Sequence, residues 1–164
     1  MAKIIIADTG PIIALALVDV LPLMVQLYGK VVIPKSVYEE ATKDMSKPAA
    51  AKIAEVVKND FFSIQTIKLT GEFKALIDIL DIGEAEALAL AKKLNGVALI
   101  DEKRGRKVAS KLGIPITGSA AVIINAKQNK LIPEVKPLLK KLAVHGYRMS
   151  DSLVQDVLKI AQEV

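Results

Sequence analysis

Two aspartates follow the two runs of the chain that are most typical of short buried strands. Asp8 comes directly after residues 4–7, and Asp101 comes directly after residues 97–100. Short apolar runs bounded by Asp or Gly favour buried strands. Since ligands bind beyond the carboxyl ends of parallel strands, both carboxylates are expected to point into the same crevice. The alternative is that each aspartate only caps the helix that follows it.

Two glutamates lie on predicted helices, on faces that they share with apolar side chains. Glu40 shares a face of its helix with Val37, and Glu84 begins the apolar stripe of a long helix at residues 84–94. Glu86 falls on a face of that helix that is less clearly buried. A glutamate in the first turn of a helix also interacts favourably with the helix dipole. A purely structural role of Glu84 therefore stays open.

These four acids could form a carboxylate cluster, because none of them has an obvious basic partner beside it in the sequence. Like charges at close range raise one another's pKa unless a cation neutralises them. The chain has no Cys and a single His, His145, which excludes thiolate and multi-histidine metal sites. A metal bound by oxygen alone would be Mg²⁺ or Mn²⁺, which binds phosphate oxygens and lowers the pKa of a bound water.

The elements that must position these acids alternate between strands and helices, which predicts an α/β fold with a central, mainly parallel sheet flanked by helices. The chain has 164 residues, 52% of them hydrophobic. We expect a single domain over residues 1–164, with C-terminal helices from about residue 133 packed on it. The predicted strands cover residues 3–7, 31–33, 63–67 at an edge of the sheet, 97–100 and 114–116. The predicted helices follow Thr9 and cover residues 20–28, 36–44, 49–58, 84–94, 106–112, 118–124, 133–144 and 150–164.

The sequence shows no targeting signal and no membrane-spanning segment. Asp8 interrupts the apolar N-terminal residues too early for a signal peptide. The most apolar stretch, residues 11–18, is shorter than the ~20 residues that a membrane helix needs. We therefore expect a cytoplasmic protein without a membrane partner.

The net charge of +5 is unevenly distributed along the chain. Residues 103–148 contain eleven Lys or Arg and one acid, whereas the remainder contains twelve basic and seventeen acidic residues. This asymmetry favours a polyanionic partner, in practice nucleic acid. The basic residues that follow Asp101 most closely are expected to contact the nucleic-acid backbone; they are Lys103, Arg104, Arg106 and Lys107. The alternative is a solvated helix face.

Four stretches, in order along the chain, carry a resemblance to a known family. They are Ile-Ala-Asp-Thr-Gly-Pro-Ile-Ile-Ala-Leu at 6–15, Ile-Pro-Lys-Ser-Val-Tyr-Glu-Glu at 33–40, Asp-Ile-Gly-Glu-Ala-Glu-Ala-Leu-Ala-Leu-Ala at 81–91 and Leu-Ile-Asp-Glu-Lys-Arg-Gly-Arg at 99–106. The chain resembles the PIN-domain superfamily of metal-dependent nucleases. It is most similar to the PIN-like branch that is related to the toxin nucleases of toxin–antitoxin pairs. The resemblance covers nearly the whole chain and implies a three-layer PIN-like fold.

The resemblance implies a role for each of the four acids. Asp8 and Asp101 match direct metal ligands, Glu84 matches a ligand that binds the metal directly or through water, and Glu40 matches an acid that holds a water beside it. The family usually has Asp where this chain has Glu84, so Glu86 competes for that role, and a part for Glu102 stays open. The resemblance also places supporting polar residues near the site, at Thr9, Thr117 and Ser119.

The activity implied by the resemblance is hydrolysis of phosphodiester bonds with Mg²⁺ or Mn²⁺, with RNA favoured as the substrate. Two alternatives stay open. One is a structure-specific DNA nuclease that uses the same carboxylates, and the other is a catalytically weak binding module for nucleic acid or protein. The resemblance also implies a small antitoxin protein as a partner. We further expect a homodimer that forms through residues 20–28 and the helix after Pro48.

Overall fold

A five-stranded parallel sheet forms the centre of the molecule. The structure is a computed structural model that describes residues 4–164. The strands are β1 (Ile5–Ala7), β2 (Val31–Pro34), β3 (Phe62–Gln65), β4 (Val97–Leu99) and β5 (Ile116–Thr117). Their order is β3-β2-β1-β4-β5, and every neighbouring pair is parallel. The predicted parallel α/β fold is confirmed, with β3 at an edge; Lys3, the predicted start of the first strand, lies outside the described residues.

The central strand β1 contributes side chains to both faces of the sheet. Ile5 and Ala7 belong to one buried cluster and Ile6 belongs to another, because successive side chains of a strand point in opposite directions. All three are fully or almost fully buried. A strand that is buried on both faces needs apolar residues at every position, which explains the unbroken apolar run before Asp8.

Helices cover both faces of the sheet. They are α1 (Thr9–Leu17), α2 (Leu21–Tyr28), α3 (Lys35–Ala41), α4 (Pro48–Lys58), α5 (Gly71–Ala75), α6 (Ile82–Leu94), α7 (Lys103–Lys111), α8 (Ser119–Gln128), α9 (Lys136–Val144) and α10 (Asp151–Ile160). The cluster that contains Ile5 includes buried residues of α1 to α4 and α8 to α10. The cluster that contains Ile6 includes buried residues of α6 and α7. The sheet therefore lies between two helical layers, which confirms the three-layer architecture.

The sequence did not predict helix α5 or the single 3₁₀ turn at Leu76–Asp78 that follows it. Helix α5 has only five residues, begins at Gly71 with a φ of +55° and contains no buried residue. An element this short shows no apolar periodicity of its own. Helix α7 begins at Lys103, three residues before the predicted start at Arg106, so its first turn carries two of the predicted nucleic-acid-binding residues.

The long helix α6 ends at Leu94, as predicted, and the Asn95–Gly96 pair follows it. Asn95 takes the left-handed conformation with a φ of 52°, which Asn tolerates better than most residues. The next residue, Gly96, leads into β4, where a Cβ would lie 2.6 Å from the backbone oxygen of Ile4. Only glycine allows this close approach of α6 to the start of β1.

The C-terminal helices are tied to the rest of the domain through Glu163. Its carboxylate accepts hydrogen bonds from the backbone N–H groups of Val135 and Lys136, at 2.7 and 2.9 Å. It also accepts one from Lys127 Nζ of α8, at 2.8 Å. At the other end of α10, Ser150 caps the helix by accepting a hydrogen bond from the Leu153 N–H. The contacts of Glu163 therefore join the end of the chain to the start of α9 and to α8.

Within residues 4–164, no single helix is long and apolar enough to cross a membrane. Helices α1 and α2 pass that test of length and composition only as a pair, with an angle of 110° between them.

Candidate active site

A cavity of about 750 Å³ opens beyond the carboxyl ends of β1, β4 and β5. Asp8, which follows β1, and Asp101, which follows β4 by two residues, both line it. The two strands are neighbours and run parallel, so both aspartates lie at the same edge of the sheet, as predicted. Ligands bind at this edge in open parallel sheets. The cavity is therefore the place to look for chemistry.

Asp8 is buried at the floor of the cavity, with 6% of its surface exposed. It stands at the N-cap position of α1, but its side chain makes no capping hydrogen bond. One donor that a capping side chain commonly uses is the N–H of the third helical residue, and that residue is Pro11, which has no N–H. The capping interpretation of Asp8 is therefore wrong, and its carboxylate is available to the cavity.

Glu84 is buried close to Asp8, with 3% of its surface exposed. It forms a capping box with Asp81 at the start of α6: Glu84 N–H donates to Asp81 Oδ1 at 2.8 Å, and Asp81 N–H donates to Glu84 Oε2 at 3.3 Å. The second oxygen, Oε1, makes no hydrogen bond within residues 4–164. A buried oxygen without a partner costs about 1–3 kcal/mol. The structural role suggested for Glu84 is thus real, but it uses only one of the two carboxylate oxygens.

The pKa of Asp8 is raised to about 7, mainly by burial; the backbone N–H of Thr9 opposes this rise, and the negative charges of Asp81, Glu84 and Glu102 add to it. Burial also raises the pKa of Glu84 to about 7, again with contributions from Asp81 and Glu102. Both carboxylates are therefore partly protonated at neutral pH when no cation is bound. A divalent cation would favour their ionised forms and offset their mutual repulsion.

Asp101 is held by hydrogen bonds to both of its carboxylate oxygens. Ser119 donates twice, from its N–H to Oδ1 at 2.8 Å and from its hydroxyl to Oδ2 at 2.7 Å. The Tyr147 hydroxyl also donates to Oδ2. The N-cap of the helix after Asp101 is Glu102, so the prediction that Asp101 caps its own helix is wrong. Asp101 instead accepts from the first N–H of α8, at the next strand along the sheet.

Glu40 lies at the rim of the cavity rather than on a buried helix face. Its side chain is exposed, although Val37 and Ala41 of the same helix are buried. Thr9 Oγ1 donates to Glu40 Oε2 at 3.0 Å, which links the start of α1 to the end of α3. The prediction that Glu40 shares a buried apolar face is therefore wrong. Glu40 does line the cavity.

The structure distinguishes Glu84 from Glu86. Glu86 is half-buried and accepts a hydrogen bond from Ser36 Oγ, and it lines a separate small pocket. Glu84 lies close enough to Asp8 to raise its pKa. Of the remaining supporting residues, Glu102 is exposed, Thr117 is half-buried and Ser119 is buried, and all three line the cavity.

Sequence reasoning assigned no chemistry to Asp81, which also lines the cavity. A Cβ placed on Gly83 would lie 3.5 Å from Asp8 Oδ1 and 3.5 Å from Asp81 Oδ1, so the two aspartates flank the same glycine. The spacing of Asp81 and Glu84 matches a capping box and could have identified Asp81. Tyr147 and Arg148, from the loop between α9 and α10, line the cavity as well; the resemblance to the family extends to residues 146–151 but implied no role for either residue.

One basic residue of α7, Arg106, lines the cavity, whereas Lys103, Arg104 and Lys107 lie outside its lining. Helix α7 carries Lys103, Arg104, Arg106 and Lys107, and all four side chains are exposed. Arg106 lines the cavity and donates to the backbone oxygen of Ile100 at 3.3 Å. Arg104 points elsewhere and donates to the backbone oxygen of Ile79 at 3.3 Å. The acidic floor of the cavity is therefore flanked by a positively charged helix.

The donor set of the cavity fits a hard divalent cation. Asp8, Asp81, Asp101, Glu40 and Glu102 line the cavity with carboxylates. Glu84 does not line it but is buried close to Asp8; both of these acids have a pKa raised to about 7, and Glu84 Oε1 lacks a hydrogen-bond partner in the described part of the chain. Oxygen donors of this kind suit Mg²⁺ or Mn²⁺. No group of three acidic or histidine side chains among residues 4–164 is already arranged to hold a metal ion, so water would have to complete the coordination.

A sequence model of the PIN-domain family DUF3368 matches residues 4–163, which is nearly all of the described chain. No curated protein gives a significant match. The match covers the strands and helices that line the cavity, from Asp8 to the α9–α10 loop.

Proposed function

We propose that this chain is a ribonuclease of the toxin type. The premise is that the chain belongs to the PIN-domain family, whose members are in general metal-dependent nucleases. The observation that supports the proposal best is the pair of buried carboxylates: Asp8 lines the cavity at the carboxyl edge of a parallel sheet, and Glu84 is buried close to it. Their raised pKa values and the unpartnered Glu84 Oε1 call for a cation. Fold membership alone would not support an activity, because function depends on the site.

Asp8, Glu84 and Asp101 are the proposed metal ligands. When bound, Mg²⁺ or Mn²⁺ would act as a Lewis acid on a phosphoryl oxygen and would lower the pKa of a bound water to a value near neutral. Asp8 and Glu84 offer their carboxylates from β1 and α6, and Ser119 keeps Asp101 oriented. Glu40, held by Thr9 at the rim, is placed to orient the attacking water.

The proposed substrate is a single strand of RNA. The exposed basic residues of α7 would contact phosphates on one side of the cavity, with Arg106 reaching inside it. Arg148 lines the cavity from the α9–α10 loop and would contact the strand from there. Phosphate contacts hold a strand in register and do not read its sequence. The choice of RNA over DNA rests on the resemblance to toxin ribonucleases.

Several further expectations stay proposals. They are a small antitoxin protein as a partner, a homodimer that involves α2 and α4, a cytoplasmic location, and a single domain over residues 1–164. The antitoxin and the dimer rest on the resemblance to toxin nucleases. Sedimentation of the purified chain at micromolar concentration tests the dimer, and a monomer there would contradict it.

The activity is tested by cleavage of single-stranded RNA and DNA with Mn²⁺, with EDTA, and with the variants Asp8→Asn and Asp101→Asn. We expect the wild-type protein to cleave RNA with Mn²⁺, and both EDTA and Asp8→Asn to abolish cleavage. Preferential cleavage of DNA would support the DNA nuclease instead. Equal cleavage by the wild type and Asp8→Asn would identify a contaminant and contradict the proposed mechanism.

A further inference from the structure

The loop between α9 and α10 reaches back to the cavity from the far end of the chain. Tyr147 lies 46 residues after Asp101 in the sequence, yet its hydroxyl donates to Asp101 Oδ2. The same hydroxyl lies 3.5 Å from Ser119 Oγ, which donates to the same carboxylate oxygen. Asp101 is therefore held from two directions, by the start of α8 and by the C-terminal loop.

The backbone around Tyr147 holds its ring in place. Tyr147 N–H donates to the backbone oxygen of Leu142 at 2.9 Å, at the end of α9. The ring is half-buried and packs against the larger core cluster. The Tyr147 N–H bond ties the loop to the end of α9, and Ser150 caps α10 directly after the loop, so the loop is restrained on both sides. A hydroxyl held in this way can orient a carboxylate.

The geometry points to Tyr147 as a positioning residue for Asp101, which makes the α9–α10 loop a part of the active site. This inference rests on the proposed function, in which Asp101 binds the metal. Groups that donate hydrogen bonds to metal ligands commonly alter metal affinity or activity by 10–100-fold when they are removed. The loop would thus contribute to catalysis through Asp101 and without contact to the reacting atoms.

Tyr147→Phe removes the hydroxyl and keeps the ring. Tyr28→Phe is the matched control, because Tyr28 is also half-buried and its hydroxyl accepts one hydrogen bond, from Asn125 Nδ2 at 2.8 Å. Tyr28 does not line the cavity. Thermal unfolding of both variants shows whether each one folds as the wild type does.

The readouts are the affinity for Mn²⁺ by calorimetry and the kinetics of RNA cleavage. We expect Tyr147→Phe to bind Mn²⁺ about tenfold more weakly and to lower kcat about tenfold, with KM for RNA changed less than about twofold because the phosphate contacts remain. Tyr28→Phe should match the wild type in both. Wild-type values for Tyr147→Phe, or the same losses in Tyr28→Phe, would overturn the inference.

Two further measurements separate this inference from the proposed function. Ser119→Ala combined with Tyr147→Phe should show coupled losses, since both hydroxyls act on one carboxylate oxygen; strictly additive losses would contradict a shared role. A wild-type protein that neither binds Mn²⁺ nor cleaves RNA would overturn the proposed function and this inference together. A wild type that does both, beside an unaffected Tyr147→Phe, would overturn only the role of Tyr147.

Discussion

The two sides of the cavity treat their carboxylates in opposite ways. On the β1 side, Asp8 makes no capping hydrogen bond and Glu84 Oε1 makes no hydrogen bond within the described residues. On the β4 side, Asp101 accepts hydrogen bonds at both oxygens from Ser119 and Tyr147. The β1 side thus has a carboxylate oxygen without a hydrogen-bond donor among residues 4–164, whereas both oxygens of Asp101 have protein donors. We infer that Asp8 and Glu84 would gain most from a bound cation. Asp101, whose orientation is already fixed by hydrogen bonds, would bind the same cation with little movement.

The largest expected effect comes from Glu84→Gln, which keeps the shape of the side chain and removes its charge. We expect RNA cleavage with Mn²⁺ to fall at least about 1,000-fold, because a proposed direct ligand is lost. Ser119→Ala, on the other side, leaves the Ser119 N–H bond to Asp101 intact and should lose only about tenfold. Initial rates at saturating RNA measure both variants. Equal losses in the two would remove the distinction between the sides.

The second effect is the pH dependence of stability in the metal-free protein. The pKa of Asp8 is about 7 when folded and 3.8 as the ordinary value, so the folded state binds more protons between these pH values. The free energy of unfolding should therefore decrease as the pH rises, by about 3 kcal/mol between pH 5 and pH 8 for this group.

Urea unfolding in EDTA at pH 5 and pH 8 measures this change. Asp8→Asn should show a smaller decrease than the wild type, and Asp101→Asn should retain the wild-type decrease. Added Mn²⁺ should recover stability at pH 8 in the wild type, because ligands bind metal in their ionised forms. A free energy of unfolding that rises with pH in the wild type, but not in Asp8→Asn, would show that Asp8 is not a desolvated carboxylate.

The third effect concerns the basic residues of α7, which lie beside the cavity. Replacement of Lys103, Arg106 and Lys107 by Gln should weaken binding of single-stranded RNA about tenfold at physiological salt and reduce the salt slope by about 2, at about 0.7 per phosphate contact. The control replaces Lys136, Lys140 and Lys141, which are exposed on α9, and removes the same net charge. Binding titrations at several salt concentrations compare the two. Similar losses would show a general charge effect without a defined path for the strand.

The smallest effect compares two glycines, one on each side. A Cβ on Gly118 would lie 3.0 Å from Asp101 Oδ1 and 2.9 Å from Arg106 Nη1. A Cβ on Gly105 would lie 3.0 Å from Ile100 Cγ2 and 3.3 Å from Glu84 Oε1, so its only close contact with an acid of the site is the looser one. Asp101 is fixed by its donors and cannot move without losing one, whereas Glu84 Oε1 can turn aside. We expect Gly118→Ala to lower kcat about threefold more than Gly105→Ala does. The reverse order would mean that Glu84 is the more rigid of the two acids.

The sequence predicted the parts of the site that depend on neighbours along the chain. Asp8 and Asp101 follow apolar runs that are buried on both faces of the sheet, so parallel pairing brings them to one edge. Glu84 starts the buried stripe of α6, and Glu86 lies half a turn away, so periodicity alone separated the buried acid from the half-buried one. These relations are local and have a fixed period.

The sequence could not predict contacts that depend on how distant segments pack. Tyr147 donates to Asp101 although 46 residues separate the two in the sequence. Glu40 has the spacing of a buried residue, but α3 ends at Ala41 and leaves it at the rim. Helix α5 is too short to show a pattern. In each case tertiary packing decides where the residue lies, and the neighbouring residues in the sequence do not indicate it.

Pro11 places the fold and its chemistry in competition. Almost any other residue there would offer its N–H to Asp8, complete the cap of α1 and add about 1 kcal/mol to the stability of the helix. That hydrogen bond would also occupy the carboxylate that the proposed metal needs. A chain selected for heat resistance alone would discard this proline. Pro11 thus lowers the stability of α1 and leaves the Asp8 carboxylate without that hydrogen bond. Variants designed for higher thermal stability should therefore keep Pro11.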